Sequence, residues 1–167
     1  VAWDAQGNIF VSDGYGNSRV AKFDKNGVYI KAWGSRGAGI GQFNTPHSIA
    51  VDAQGNVYVG DRGNARIQVF DNNGGFKAQY LNVGAPWAIC ITPPNAAGNQ
   101  FLYASDAFPG RIYKLSLDGK VLGMLGKSGR QPKQFGWIHQ LACPSENELY
   151  AAELLNWRVQ KLTLHPK

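Results

Sequence analysis

Long apolar runs, dense charge and helical periodicity are all missing from this sequence. No run of 18 apolar residues exists, so the sequence predicts no membrane span. Lys and Arg number 17 against 11 Asp and Glu, a net charge of +6, but the basic residues are scattered. Without a basic block, a nucleic-acid interface is not favoured. No segment shows the 3.6-residue apolar period of an amphipathic helix, which argues against the helical fold classes.

Cysteine is also scarce. Cys90 and Cys143 are the two cysteines of the chain, and both lie in apolar, strand-like runs. Lone buried cysteines usually behave as small apolar side chains, so the sequence predicts free thiols at both positions. Two cysteines define no disulfide framework, and the redox compartment stays open. The chain begins at Val1 inside a strand-like pattern, so we expect it to have been trimmed at its start.

Glycine and internal repetition are what the sequence has in abundance. There are 21 glycines, and residues 1–34 overlay residues 49–80 with the pentapeptide DAQGN identical. Further copies occupy residues 89–126, with an insertion at 93–99, and 141–164, where the copy stops early. An acidic residue recurs at Asp13, Asp61, Asp106 and Glu153. An arginine recurs at Arg19, Arg66, Arg111 and Arg158, and we expect it to pair with an acidic residue or a carbonyl.

Each copy has the pattern of four short strands separated by turn residues. The strands predicted in the second copy are Ser48–Val51, Asn56–Asp61, Arg66–Asp71 and Gly75–Tyr80. A four-stranded unit that repeats about every 46 residues is typical of β-propeller blades. The sequence therefore predicts an all-β propeller domain over residues 1–167, with blades near 1–34, 47–80, 87–126 and 139–164. The fourth blade should lack its outermost strand.

Three polar side chains are predicted to meet at one mouth of the propeller channel. In an up-and-down blade, the start of the first strand and the end of the second lie on the same side. His47 begins a first strand and Arg62 follows a second strand, while Tyr15 lies two residues after the end of a second strand. Tyr15, His47 and Arg62 are therefore candidate site residues.

His139 is a fourth candidate, because the segment Phe135–His139 overlays Phe43–His47. The two histidines are 92 residues apart, which corresponds to two blades. Three imidazoles that converge on an axial point would make a catalytic zinc arrangement with an open fourth position. Spacing alone leaves a second interpretation open, in which each histidine bonds only water or a backbone carbonyl.

The repeat resembles the NHL family, on the evidence of Gly55–Asp61 and Asn64–Phe70. Within that family it is similar to the peptidyl-α-hydroxyglycine α-amidating lyases, which release glyoxylate from a hydroxyglycine-extended peptide and leave a C-terminal amide. The residues that carry this resemblance are Ser12–Arg19, Gly41–Phe43, Pro46–Ser48, Asp61–Asn64 and the segment ending in His139. The resemblance implies that Tyr15 and Arg62 are catalytic and that His47 and His139 are zinc ligands.

The chemistry implied by the resemblance assigns a role to each residue type. Zinc would lower the pKa of the substrate hydroxyl, Tyr15 would accept its proton, and Arg62 would hold the substrate carboxylate. The third zinc ligand would lie before Val1, so the isolated chain is not expected to be active. Trp137 and Ile138 replace the methionine and proline of the family pattern. Gln140 replaces an aspartate that helps to hold calcium, so a calcium site is not carried over.

Other interpretations stay open at this point. NHL propellers also serve as non-catalytic scaffolds for proteins or single-stranded RNA. The family usually closes with six blades, which would place two blades upstream of Val1; a four-bladed ring or closure by a protein partner or a second copy are the alternatives. The resemblance implies a peptide or small-molecule substrate at the channel mouth and an extracellular or periplasmic location.

Overall fold

The computed structural model describes residues 1–164, which form seventeen strands and one short 3₁₀ helix. The first sheet contains β1 (Ala2–Trp3), β2 (Ile9–Asp13), β3 (Arg19–Phe23) and β4 (Tyr29–Trp33). A parallel pair, β5 (Ser35–Arg36) and β6 (Gln42–Phe43), follows it. The second sheet contains β7 (Pro46–Val51), β8 (Val57–Asp61), β9 (Arg66–Phe70) and β10 (Phe76–Tyr80), with the 3₁₀ helix at Arg62–Asn64.

The remaining strands make two further sheets. The third contains β11 (Pro86–Ile91), β12 (Phe101–Asp106), β13 (Arg111–Ser116) and β14 (Val121–Leu125). The fourth contains β15 (Ile138–Ser145), β16 (Glu148–Glu153) and β17 (Arg158–Thr163). Consecutive strands are neighbours in every sheet. Three four-stranded meanders and one of three strands confirm the predicted all-β, propeller-type architecture. Within residues 1–164, no helix is long and apolar enough to cross a lipid bilayer.

The repeated DAQGN pentapeptide forms the turn between the first two strands of a sheet. Asp52 Oδ1 accepts hydrogen bonds from the backbone N–H groups of Gln54, at 3.0 Å, and Asn56, at 2.8 Å. Gly55 lies between them with a φ of 82°, and such a left-handed conformation favours glycine. Asp4 makes the same bonds in the first copy. The pentapeptide is therefore a turn motif and belongs to the architecture of the sheets.

The chain divides into two compact units, each with its own core. The first unit is Val1–Pro86 and the second begins at Trp87. The first core is made of Ala2, Phe10, Val20, Phe43, Ile49, Val57, Val59 and Phe70. The second is made of Ala88, Tyr103, Ile112, Phe135, Ile138, Leu141, Cys143, Leu149, Ala151 and Leu162. Since Phe43 and Phe135 end the loops that precede β7 and β15, each loop is attached to the core of its own unit.

The prediction of free thiols is wrong, because Cys90 and Cys143 form a disulfide. Cys90 lies on β11 and Cys143 on β15, the first strands of successive sheets, with their Cα atoms 6.1 Å apart. Each cysteine is isolated in the sequence, but the fold of the second unit brings the two strands within bonding distance. The bridge closes a loop of 53 residues. Chain entropy alone assigns about 4 kcal/mol to a loop of that size.

Candidate functional site

Three of the predicted site residues, Tyr15, His47 and Arg62, are in contact in the first unit. Tyr15 Oη lies 3.1 Å from His47 Nε2, within hydrogen-bond distance. Arg62 Nη1 donates to the same phenol oxygen at 3.3 Å, and its guanidinium carbon lies 5.4 Å from the Tyr15 ring centroid. The Tyr15 side chain is 78% exposed. We call these three residues the polar corner; it presents a hydroxyl, an imidazole and a cation together to solvent.

Close backbone packing places Tyr15 over the start of β7. Tyr15 lies in the turn between β2 and β3, and Gly14 precedes it. A Cβ added at Gly14 would lie 2.0 Å from the backbone oxygen of Pro46, the residue before His47. Only glycine fits there without a shift of the backbone, so Gly14 is what allows the phenol to reach the imidazole.

A buried polar network, which we call the clamp, holds the loop that leads into His47. Its members in the first unit are Asp61, Asn64, Arg66 and Gln68, on or beside β8 and β9. Arg66 Nη2 donates to the backbone oxygens of Gly39 and Gln42, both at 2.8 Å. Gln68 Nε2 donates to Gln42 O at 2.8 Å, and Asn64 Nδ2 donates to Gly37 O at 2.9 Å. The loop before His47 is thus fixed by side chains from the sheet that follows it.

Asp61 connects the clamp to the histidine strand. Its Oδ1 accepts from the backbone N–H of Asn44, three residues before His47, at 2.8 Å. Its Oδ2 accepts from Arg66 Nε at 2.8 Å, and the side chains of Asp61 and Arg66 are 0% and 7% exposed. The predicted pairing of the repeated arginines is confirmed for Arg66, and also for Arg19 with Asp13 and Arg158 with Glu153.

The second unit contains the same clamp 92 positions later, formed by Glu153, Asn156, Arg158 and Gln160. Arg158 Nη2 and Gln160 Nε2 each donate to Gln134 O at 2.9 Å, and Asn156 Nδ2 donates to Gly129 O at 2.8 Å. Glu153 Oε2 accepts from the backbone N–H of Gly136, three residues before His139, at 2.8 Å. Burial raises the pKa of Glu153, but bonds from Arg158, Gly136, Gln160 and Asn156 outweigh it and lower the pKa below its usual value.

His139 lies in this second unit, among aromatic side chains. Its ring centroid lies 5.6 Å from that of Trp87, whose ring in turn lies 5.4 Å from that of Trp137. Phe108 packs edge-on against both tryptophans, at 6.0 and 5.8 Å. Leu154 occupies the position of Arg62, and its backbone N–H donates to Trp137 O at 2.9 Å. We call Trp87, Phe108, Trp137, His139 and Leu154 the aromatic corner.

The donor set does not fit a zinc centre within the described residues. Over residues 1–164 no three or more His, Cys, Asp or Glu side chains are close enough to hold a metal ion together. Catalytic zinc takes three protein ligands, and each unit offers one imidazole among these residues. In the first unit that imidazole contacts the Tyr15 phenol, to which a guanidinium also donates.

Sequence reasoning missed several residues that build the two corners. Gly14, Asn64 and Gln68 were not recognised as positioning residues, and the same holds for Asn156 and Gln160. Their signal was available, because the clamp residues recur at an offset of 92. Phe108, two residues after Asp106, is the counterpart of Tyr15, two residues after Asp13, and that equivalence was also missed.

Comparisons with known proteins agree with this architecture. The model of the NHL repeat matches residues 43–70, which contain His47, Arg62 and the first clamp. Human NHL repeat-containing protein 3 is 37% identical over 97 residues, covering 57% of this chain and 26% of the relative. Xenopus laevis peptidyl-glycine alpha-amidating monooxygenase A is 32% identical over 161 residues, covering 88% and 17%. Drosophila melanogaster peptidyl-alpha-hydroxyglycine alpha-amidating lyase 1 is 29% identical over 178 residues, covering 93% and 32%.

Solved structures show the same fold at low identity. A streptogramin B lyase structure superposes with a TM-score of 0.66 at 16% identity, over 99% of this chain and 54% of that one. The RRP9 WD40 repeats superpose with a TM-score of 0.71 at 12% identity, over 96% and 49%. The sheets thus define a propeller-like protein. The chain is an NHL-repeat domain, homologous to NHL repeat-containing protein 3 and to the amidating lyases. It spans about a third or less of the length of these three relatives.

Proposed function

We propose that this NHL domain supplies part of a lyase-type site, in which the polar corner binds the α-hydroxyglycine end of a peptide and promotes cleavage to a peptide amide and glyoxylate. The observation that supports this is the contact of one phenol, Tyr15, with both His47 and Arg62. The Drosophila melanogaster relative is named for this reaction. Because the chain covers 32% of that relative, the complete activity is proposed for a longer assembly.

Arg62 is the group suited to the substrate carboxylate. A guanidinium presents parallel N–H donors that match a carboxylate in a bidentate fork. Its bond to Tyr15 through Nη1 orients the planar group toward the phenol. A carboxylate bound by this guanidinium would therefore place the neighbouring hydroxyl-bearing carbon close to Tyr15 and His47.

Tyr15 and His47 are suited to moving the proton of the substrate hydroxyl. The hydroxyl proton passes to the Tyr15 oxygen as the phenol proton passes to His47 Nε2, 3.1 Å away. The C–N bond then breaks, and its electron pair goes to the amide nitrogen. That nitrogen takes up the proton held by His47. The hydroxyl-bearing carbon becomes the aldehyde carbon of glyoxylate, so atoms and charge balance. No step of this proposal involves zinc.

The test measures binding and turnover separately. An acyl-peptide ending in α-hydroxyglycine is titrated into the chain beside the same peptide with an amide end. We expect the acid to bind at least tenfold more tightly and Arg62→Gln to remove that preference, since bonds to a charged group contribute about 1.5–3 kcal/mol. Arg36→Gln, which removes an exposed charge from the same unit, is the matched control.

Glyoxylate release is then measured on a longer protein that contains this domain. Tyr15→Phe should reduce the rate about 100-fold or more while leaving affinity for the acid peptide nearly unchanged. Equal binding of acid and amide peptides, or an Arg62→Gln variant that binds like wild type, would remove the basis of the proposal.

A second candidate function is that of a non-catalytic scaffold for a protein partner. The aromatic corner favours it, because Phe108 is 59% exposed and lies beside two tryptophans. Tight binding of the acid peptide without glyoxylate release from the longer protein would support the scaffold over the enzyme.

The Cys90–Cys143 disulfide and the amidating relatives suggest a protein of the secretory pathway, since disulfides persist in oxidising compartments. More specifically, we propose an extracellular or periplasmic location.

A further inference from the structure

The two corners are copies of one structure whose chemistry has diverged. The clamp, the loop that it holds and the following histidine recur at an offset of 92 residues. At this offset Thr45 corresponds to Trp137, Arg62 to Leu154 and Gly63 to Leu155. Each replacement adds apolar surface to the second unit.

A paired change makes room for the added leucine. A Cβ added at Gly63 would lie 2.6 Å from the backbone oxygen of Asn44 and 2.5 Å from its side chain. In the second unit Gly136 stands in place of Asn44, and Leu155 stands in place of Gly63. Gly136 therefore removes the side-chain part of this conflict, and a space lined by Gly136, Trp137 and Leu155 lies there.

That space is a cleft of about 220 Å³. Its apolar walls are Phe108, Phe135, Trp137 and Leu155. Pockets for drug-sized ligands measure roughly 300–1,000 Å³, so this cleft suits a single side chain. Aromatic rings prefer offset and edge-to-face partners, and Phe108 and Trp137 already meet at an interplanar angle of 84°.

Trp137, which lines this cleft, has a costly backbone conformation. Its φ is 54°, in the left-handed region, where a bulky residue is rare. Glycine would occupy that backbone position without strain. Such a conformation persists only where the surrounding structure holds it in place, and here the repeated loop presents the indole ring to the cleft.

One cation lines the cleft. Arg130 is exposed and lies at the position of Ala38 in the first unit. Its backbone oxygen accepts a bond from Arg158 Nη1 at 2.5 Å, so the clamp fixes the point from which its side chain extends. An aromatic wall beside a guanidinium matches a ligand that carries an aromatic ring and a carboxylate next to each other.

We propose that this cleft binds the C-terminal aromatic residue of a peptide, with the ring between Phe108 and Trp137 and the carboxylate on Arg130. This site is separate from the polar corner and does not depend on the lyase-type function proposed for it.

The test uses N-acetylphenylalanine, its amide and N-acetylalanine, titrated at millimolar concentration into the 167-residue chain and followed by calorimetry. N-acetylphenylalanine should bind at least fivefold more tightly than either of the others. Trp137→Gly should weaken it about tenfold, because it removes one ring wall while keeping the backbone conformation. Phe108→Leu should weaken it severalfold, and Arg130→Gln should make acid and amide bind alike.

Thr45→Gly is the matched control, because Thr45 holds the same left-handed position in the first unit, with a φ of 56°. It should leave N-acetylphenylalanine binding unchanged. The proposal is overturned if N-acetylphenylalanine binds no more tightly than N-acetylalanine, or if Trp137→Gly and Phe108→Leu both bind it like wild type. Loss of binding in Thr45→Gly to the same extent as in Trp137→Gly would also overturn it, whereas the hydroxyglycine-peptide experiment on Arg62 would be unaffected.

Discussion

The polar corner of the first unit and the aromatic corner of the second are each held by an equivalent clamp. In both, a carboxylate accepts from a backbone N–H three residues before the histidine, and a glutamine and an arginine hold the loop. Both corners contain a histidine, but its neighbours differ, with Tyr15 and Arg62 in one and Phe108 and Leu154 in the other. The comparison shows that the clamp fixes where side chains are presented and leaves open what chemistry they carry.

Removing the buried carboxylate should have the largest effect. Asp61→Ala leaves Arg66, which is 7% exposed, without its charge partner, and breaking such a pair costs about 3–5 kcal/mol in free energy of unfolding. Asp13→Ala breaks the corresponding pair of the first sheet, where Arg19 is 44% exposed, and should cost about 1 kcal/mol or less. Urea unfolding of both variants checks this. Equal losses of unfolding free energy in the two variants would show that the buried Asp61–Arg66 pair contributes no more than an exposed ion pair.

A smaller effect is expected from Gly14→Ala, which should break the polar corner alone. The added methyl group would collide with Pro46 O, so the turn must shift, at a cost of about 1–3 kcal/mol. The nuclear Overhauser contact between the Tyr15 and His47 rings should disappear from the NMR spectrum. Gly16→Ala is the matched control, because a Cβ there meets nothing within 4 Å. If the contact survives in Gly14→Ala, the turn does not position Tyr15.

The smallest effect concerns pH and the clamp of the second unit. The pKa of Glu153 is lower in the folded protein than its ordinary value of about 4.3. Glu153 therefore stabilises the fold above that pH, and its contribution is lost as the pH falls through the lowered folded-state pKa. Glu153→Gln should make the free energy of unfolding less dependent on pH in acid, as measured by urea unfolding from pH 6 down to pH 2. An unchanged slope would show that other carboxylates dominate acid unfolding.

The sequence predicts most of the fold because each sheet is built from local signals. The DAQGN turns, the alternating strands and the acidic residue that ends each second strand are all signals contained within a single repeat. The contact of Tyr15, His47 and Arg62 followed from the same pattern, since strand ends determine which side chains share an edge. The disulfide did not follow, because the pairing of Cys90 with Cys143 depends on how two successive sheets pack.

The clamp was missed for a related reason. The asparagine and arginine side chains of the clamp lie 24–28 residues from the loop oxygens that accept their hydrogen bonds. An alignment of neighbouring repeats matches their strands but not their loops. An offset of 92 residues, which corresponds to two repeats, matches the loops as well. The replacement of Arg62 by Leu154 becomes meaningful only after that second alignment, which shows that the two residues occupy one position.

The dependence of each loop on the sheet that follows it also limits how such proteins can recombine. A crossover between the loop at 35–44 and the strands at 57–70 would combine carbonyl groups from one parent with arginine and glutamine side chains from another. A mismatch would leave buried polar groups unpaired. Segments equivalent to 35–80 or 128–163 carry loop, histidine and clamp as one piece, so they are the natural units for exchanging binding chemistry among propellers by domain shuffling or by design.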